Sequence, residues 1–331
     1  MKTVVVALLA ALAIPPVQAA DGDVTWTVRT ASNSLGATRS SFGYDVSPGT
    51  TTSDAMVVAN KGTEAVNLKV YTADGYTTDA GQLDLLTGDK KSKAIGAWVR
   101  PTSTAVTVAP GRTVEVPFTI TVPADATPGD HVGGIVTSLT APDKTANVNV
   151  ERRLGIKIKL RVAGDLAPAL AIENLDADYH DGSATVSYTI HNTGNAVQTA
   201  SQAVTVSGPF GWFRADATGI VTPPELLPGE SWQVKVPISN VTPALLLTAT
   251  ATVTPLLTDA SGSTTALNPV TATATTWAFP WMITLLVAVL IALVILVVVL
   301  NRKRRARRKE REDERVREAV EQALREKDTA H

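Results

Sequence analysis

Arg152-Arg153-Leu154-Gly155-Ile156-Lys157-Ile158-Lys159-Leu160-Arg161-Val162 reads with a period of two. Leu154, Ile156, Ile158, Leu160 and Val162 fall on one face, and Arg153, Lys157, Lys159 and Arg161 on the other. Successive side chains of an extended strand point to opposite sides, so this alternation specifies a β-strand with one buried face. The cationic face has two readings. It tracks an anionic polymer, or it is a solvated face whose lysines guard a sheet edge.

Outward from this strand, the chain keeps the same character. Residues 20–276 are rich in Thr, Val and Ala, in short runs punctuated by Gly, Pro, Asn and Asp. Thr113–Val122 is a long alternating run whose Pro117 argues for an edge or a bulge. Ser183–Ile190 follows the tight-turn pair Asp181-Gly182. Two turn signals recur. Asn60-Lys61-Gly62 and Asn192-Thr193-Gly194 occupy matching places, as do Val108-Ala109-Pro110-Gly111 and Leu226-Leu227-Pro228-Gly229. Asn and Gly accept positive φ, and Pro-Gly suits a type II turn. The recurrence predicts an all-β ectodomain of two immunoglobulin-like β-sandwiches in tandem, 22–142 and 165–276, with 143–164 as a connecting strand.

An apolar run lies near each end of the chain. Met282–Leu300 is 19 residues without a charge. At about 1.5 Å per residue such a helix spans roughly 29 Å, the hydrocarbon thickness of a bilayer. Trp277, Phe279 and Trp281 precede it as an interfacial belt would, and seven of the eight residues Arg302–Lys309 are Arg or Lys. The expectation is a transmembrane helix over 277–300 and a basic cytoplasmic tail over 301–331, with everything before Trp277 outside. Val316, Val320 and Leu324 put a narrow apolar stripe on a charged tail helix. At the other end, Lys2, the apolar run Thr3–Ile14 and Val17-Gln18-Ala19 read as a signal peptide over 1–19.

Composition narrows the function. There is no cysteine, which excludes disulfides and thiolate metal sites. Residues 21–276 carry 17 Lys and Arg against 23 Asp and Glu, a net −6, which argues against nucleic acid as the ligand. No H-E-x-x-H, G-x-S-x-G, Walker or G-x-G-x-x-G pattern is present in a suitable context, so no enzyme, metal or cofactor is expected. Asp74, Asp79 and Asp84 recur at spacing five but lack the D-x-D-x-D-G order of a calcium loop.

One ordered set of residues is more specific. Phe42-Gly-Tyr44-x-x-x-Pro48-Gly49 is followed by Asp54-Ala-Met-Val-Val-Ala-Asn60, Tyr71-Thr-Ala-Asp74 and Gly96-Ala-Trp98-Val99. Then comes Val122-Pro123-x-x-Ala126-x-Pro128-Gly129-Asp130-His131-Val132-Gly133-Gly134-Ile135. This order resembles the N-terminal, peptidoglycan-binding domain of the WxL-interacting protein family, in its high-GC Gram-positive form. The resemblance covers about residues 24–141. It implies an immunoglobulin-like domain on a Gram-positive cell surface that contacts wall peptidoglycan, with secreted surface proteins as partners. Residues 165–276 match the family's second domain only in general character.

The resemblance makes Asp130, His131, Gly133 and Gly134 candidate ligand-binding residues. From the residues themselves, Gly133-Gly134 inside a β run permits a bulge, or close approach of another backbone or a glycan. Trp98 and Tyr76 either stack on sugar rings or complete the core. Two functions follow as expectations. One is a membrane-anchored protein that binds peptidoglycan through its first sandwich and presents a second to partners. The other is a scaffold that captures secreted proteins by strand addition at an edge such as Thr113–Val122.

Overall fold

A computed structural model describes residues 25–143, 148–258 and 264–329. The expected signal peptide at 1–19 lies outside the described residues.

The first sandwich runs β1 (Trp26–Thr30), β2 (Phe42–Val46), β3 (Thr51–Asn60), β4 (Val66–Thr77), β5 (Leu83–Leu85), α1 (Ile95–Trp98), β6 (Val99–Pro101), β7 (Ala105–Val108), β8 (Thr113–Thr121), β9 (Gly129–Asp143) and β10 (Val148–Val162). One sheet has the order β1-β3-β8-β6. The other has the order β2-β10-β9-β4-β5, with β7 also on β4. Phe42, Met56, Leu68, Ile95, Phe118 and Ile135 are buried between them, and the Phe42 and Phe118 rings meet edge-on at 4.9 Å.

The period-two strand is β10. It is no mere connection, because it belongs to the first sandwich. It runs antiparallel to β9, from Val148 opposite Asp143 to Val162 opposite Gly129, and parallel to β2, from Ile158 opposite Phe42 to Val162 opposite Val46. Ile156, Ile158, Leu160 and Val162 enter the core as their spacing requires, while Leu154, nearer the strand's start, stays 38% exposed. Apolar burial of four side chains, at about 1.5–3 kcal/mol each, is what draws this segment back onto β9.

β8 also differs from expectation. It is flanked by β3 and β6 rather than forming a free edge. Pro117 fits because β6 pairs only from Val99 to Pro101, opposite Ile120 to Phe118. The Pro117 carbonyl accepts from the Thr102 N–H at 2.8 Å, so the missing N–H faces the place where β6 stops.

The Phe42-Gly-Tyr44 and Asp54 motifs have a structural use. The Asp54 carboxylate takes two bonds from Arg39 (2.6 and 3.0 Å), one from Asn33 (2.7 Å), one from the Tyr44 hydroxyl (2.5 Å) and one from the Ala55 N–H (2.7 Å). Burial pushes this carboxyl up. Its bonds to Arg39, Tyr44, Ala55 and Asn33 outweigh that and hold it below the ordinary value.

The second sandwich comprises β11 (Leu170–His180), β12 (Ser183–Asn192), β13 (Gln198–Ser207), β14 (Ala215–Asp216), β15 (Ser231–Ser239), β16 (Leu245–Thr258), β17 (Thr264–Ala266) and β18 (Val270–Ala278). Its sheets are β11-β12-β15 and β14-β13-β16-β17, with β18 also on β16. Val186, Tyr188, Ile190, Val206 and Leu247 fill the space between.

The recurring turn signals do the same work in both sandwiches. Asn60, 1% exposed, donates to the Glu64 and Val108 carbonyls and accepts from the Gly62 N–H. Asn192, fully buried, donates to the Ala196 and Leu226 carbonyls and accepts from the Gly194 N–H. In each, one Asn amide ties a strand end to the carbonyl just before the Pro-Gly corner.

Helix α2 (Trp281–Thr329) is continuous, so the expected span and tail helix are one element. No Gly or Pro interrupts the sequence between Trp281 and Thr329, and nothing else in it breaks a helix. Trp277 is outside it, on β18 opposite Leu246. Among the described residues this is the one helix long and apolar enough to cross a membrane, and its apolar surface is exposed.

Candidate functional site

Three of the motif stretches, Tyr71–Asp74, Gly96–Val99 and Asp130–Ile135, converge where β4, α1 and β9 meet. Asp74 lies near the end of β4. Its carboxylate accepts from the backbone N–H groups of Lys93 (2.5 Å), Ala94 (3.0 Å) and Gly96 (2.8 Å), which fixes the loop entering α1. Its own N–H donates to Ser92 Oγ at 3.0 Å. The Thr72 hydroxyl sits 3.1 Å from the Gly96 carbonyl and 3.0 Å from that of Val99. A Cβ on Gly96 would collide with Ser92 Oγ, so glycine is required there.

Gly133 lets β9 pack closely on β4 and α1 at this junction, and Gly134 lets it pack on β5 and β10. Both are buried. A Cβ on Gly133 would strike the Ala73 carbonyl oxygen and come within 2.6 Å of Ile95 Cβ. One on Gly134 would lie 2.5 Å from Leu85 Cδ1 and 2.8 Å from the Ile156 carbonyl oxygen. The backbone that comes close is the chain's own.

Trp98 ends α1, half-buried against the core, and its ring stands 4.7 Å from that of His131 at a 57° tilt. His131 Nε2 is 2.9 Å from the Thr127 carbonyl, so this nitrogen carries the proton. Tyr76 belongs to a different group. Its hydroxyl donates to Asp84 at 3.3 Å, and Arg153 stands 3.6 Å from the same carboxylate.

Asp130 is 3% exposed and joins the two sandwiches. Arg161 donates to both of its oxygens (2.8 and 2.9 Å), Lys159 lies at 4.0 Å, and the Val197 N–H of the second sandwich donates at 2.8 Å. Burial pushes the Asp130 carboxyl up. The Arg161 and Val197 bonds and the two cationic charges prevail and leave it below its ordinary value. Beside it Val132 packs on Val197 and Leu227 across the junction. The Asp130 N–H donates to Asn195 at 2.7 Å, and Asn195 Nδ2 donates to Pro128 at 3.1 Å.

The cationic face of β10 is therefore engaged with the chain itself. Arg161 and Lys159 face Asp130, Lys157 meets Glu225 of the second sandwich at 3.0 Å, and Arg153 donates to the Leu85 carbonyl at 3.2 Å beside Asp84. A polymer phosphate would have to compete with four existing partners.

Between the sandwiches lies a polar cleft of ≈ 280 Å³. Asp74, Thr127, Asp130 and His131 line one side, and Asn195 and Glu230 the other. Burial raises the Glu230 carboxyl, opposed by a backbone hydrogen bond at Thr77. Asn195, Leu227 and Glu230 are not legible from sequence as site residues, because nothing local marks a residue that meets another sandwich. Among the described residues no group of three or more His, Asp or Glu side chains could hold a metal ion. Asp74 is committed to backbone amides and Asp84 to Tyr76 and Arg153.

The fold and cleft define a class: an immunoglobulin-like sandwich whose turn-rich end presents a polar recess. Residues 27–138 match the family model described as WxL Interacting Protein, peptidoglycan binding domain. The match ends inside β9, so β10 and the second sandwich lie beyond it. No curated protein matches the sequence.

Solved structures overlay loosely. The E. coli chaperone DraB is 11% identical, with a TM-score of 0.34 over 76% of this chain and 98% of that one. The CsuC–CsuE chaperone–tip adhesion subunit complex of Acinetobacter baumannii gives 9%, 0.37, 73% and 97%. The PapD-like domain 7 of human CEP192 gives 13%, 0.27, 50% and 99%.

Proposed function

We propose that this chain is a membrane-anchored cell-surface protein that binds wall peptidoglycan at the cleft between its sandwiches, with α2 as the anchor and the second sandwich as a stalk that also presents surface to partners. One observation carries the reading. Three of the stretches that make the first sandwich resemble a peptidoglycan-binding domain, Tyr71–Asp74, Gly96–Val99 and Asp130–Ile135, build the β4–α1–β9 corner, and that corner opens on the polar cleft. His131 faces the cleft with Trp98 braced behind it. The recess has the size and polarity for a sugar ring or a short peptide stem.

The test is co-sedimentation of the full-length protein, in detergent, with sacculi stripped of anionic polymers. His131→Ala and Trp98→Phe should weaken binding at least about tenfold, a loss of about 1.4 kcal/mol, with the fold intact by circular dichroism. Unchanged binding in both variants would remove the cleft from consideration. Failure of the wild type to sediment would remove peptidoglycan.

A second reading is capture of a secreted protein by strand addition. It is favoured by the shortness of β6, which pairs β8 only from Phe118 to Ile120 and leaves Thr113–Val116 without a strand on that side among the described residues. A recurrent partner cross-linked at Thr113–Val116 would support it over the first.

A further inference from the structure

The base of the second sandwich carries aromatic side chains that its core does not use. In Gly208-Pro209-Phe210-Gly211-Trp212-Phe213, Phe210 is 92% exposed, Trp212 63% and Phe213 56%. The loop is nonetheless ordered. The Gly208 N–H donates to the Trp212 carbonyl at 2.7 Å, and the Phe210 and Trp212 rings lie 5.8 Å apart. Phe210 and Phe213 have φ of 60° and 54°, a conformation that is uncommon for bulky residues and costs about 1–3 kcal/mol each. Solvent-facing aromatics held at this cost gain nothing from the sandwich interior.

The register places this loop. Antiparallel pairing sets Ser207 opposite Thr248 and Leu245 opposite Ala278, so the end of β13, the start of β16 and the end of β18 share one rim. A Cβ on Gly208 would sit 2.8 Å from the Ala244 Cβ, which brings the loop to that rim. Leu245 there is 49% exposed, also at positive φ (66°), and Trp277 is 70% exposed. Three residues past Ala278 the apolar helix begins at Trp281, itself 76% exposed. The opposite rim, with Asn195 and Leu227, meets the first sandwich.

We propose that the 208–213 loop is a second membrane contact, which seats Phe210, Trp212 and Phe213 in the interfacial layer of the leaflet that α2 enters. This rests on the reading of α2 as a membrane span. Aromatic rings partition to the boundary between headgroups and acyl chains, where an apolar body and a polar edge are both satisfied. The loop and the first turn of α2 leave the same rim, so the surface that receives one is within reach of the other. Two attachment points fix the ectodomain's tilt where one would leave a swivel.

The chain has no cysteine, so single labels are clean. Nitroxides at Trp212→Cys, Val289→Cys in the helix and Thr63→Cys in an exposed loop of the first sandwich are compared in the full chain. The protein is reconstituted in phosphatidylcholine–phosphatidylglycerol vesicles. Collision rates are read with oxygen, which concentrates in lipid, and with a water-soluble nickel chelate. The expected oxygen-to-nickel ratio at 212 is at least about threefold above that at 63 and below that at 289, as interfacial depth requires. Adding Phe210→Ser and Phe213→Ser should return it to the value at 63. A ratio at 212 equal to that at 63, with 289 in lipid, overturns the contact and leaves the span standing. Nickel access at 289 overturns the span and the contact together. A label at 212 shielded from both reagents means a protein contact and also overturns the proposal.

Discussion

Replacing Asp130 by Ala tests the claim that this residue latches the two sandwiches. The side chain is fully buried, and it holds Arg161 by two bonds and the Val197 N–H by a third. Truncation leaves Arg161 without its partner and a buried N–H without an acceptor. Breaking a buried ion pair from one side costs about 3–5 kcal/mol, and an orphaned N–H about 1–3 kcal/mol. Arg161 keeps 26% exposure, so water recovers part of the first cost. The expected loss is about 3–4 kcal/mol, since these contributions overlap.

Denaturant unfolding of the full chain in detergent micelles measures it. A cycle with Arg161→Ala isolates the pair, whose coupling should reach about 2 kcal/mol. The pH dependence carries a sign. The folded Asp130 carboxyl lies below its unfolded value of about 3.9, so its stabilisation is fully present above that value. It disappears as pH falls through the folded value, and Asp130→Ala should show no such contribution. Coupling below about 0.5 kcal/mol, the ordinary error of additivity, would refute the pair, and a total loss in Asp130→Ala below about 1 kcal/mol would refute the latch to Val197.

Gly133→Ala forces β4 and Ile95 to give way and should cost about 1–3 kcal/mol or more, read as a fall in unfolding midpoint even without ligand. A variant of native stability with impaired wall binding would restore Gly133 to the ligand. Asn60→Ala and Asn192→Ala each remove two donors to backbone carbonyls and the acceptor of one glycine N–H. Each should lose about 1–3 kcal/mol, read as a fall in unfolding midpoint, and a loss below about 0.5 kcal/mol in either would contradict the role of that amide. Wall binding should fall less than about threefold between 50 and 500 mM salt, because the β10 cations already have partners, and a steep log–log salt slope would contradict that.

What sequence disclosed was whatever is periodic or local. β10 was legible because alternation is a property of adjacent residues, and the paired Asn and Pro-Gly turns were legible because each signal sits within a few positions. What stayed hidden depends on separation in sequence. Lys157 finds Glu225 68 positions away, and Arg161 finds Asp130 31 away, so nothing near Lys157 or Arg161 distinguishes an engaged cation from a free one. The same holds for Gly133-Gly134, whose pattern fits a glycan's approach as well as it fits the Ala73 backbone. From sequence alone Pro117 fits an edge or a bulge. It marks the end of a neighbouring strand, a distinction that only the length of β6 decides.

The engaged cations change what β10 does for function. Lys157 reaches Glu225, and Arg161, through Asp130, reaches Val197, so the polar face of this strand meets the second sandwich as its apolar face meets the core of the first. The strand nearest the sequence boundary between the units is thus the one that couples them. Asp74 lines the cleft from the first sandwich and Glu230 from the second, so the recess is formed by both sandwiches together. A wall ligand seated there would bridge the two sandwiches and strengthen the junction by linkage. If the chain is anchored and wall-bound as proposed, tension between the wall and the base of the second sandwich would act on the Asp130–Val197 and Lys157–Glu225 bonds, and the junction would be where ligand binding and anchoring are energetically joined.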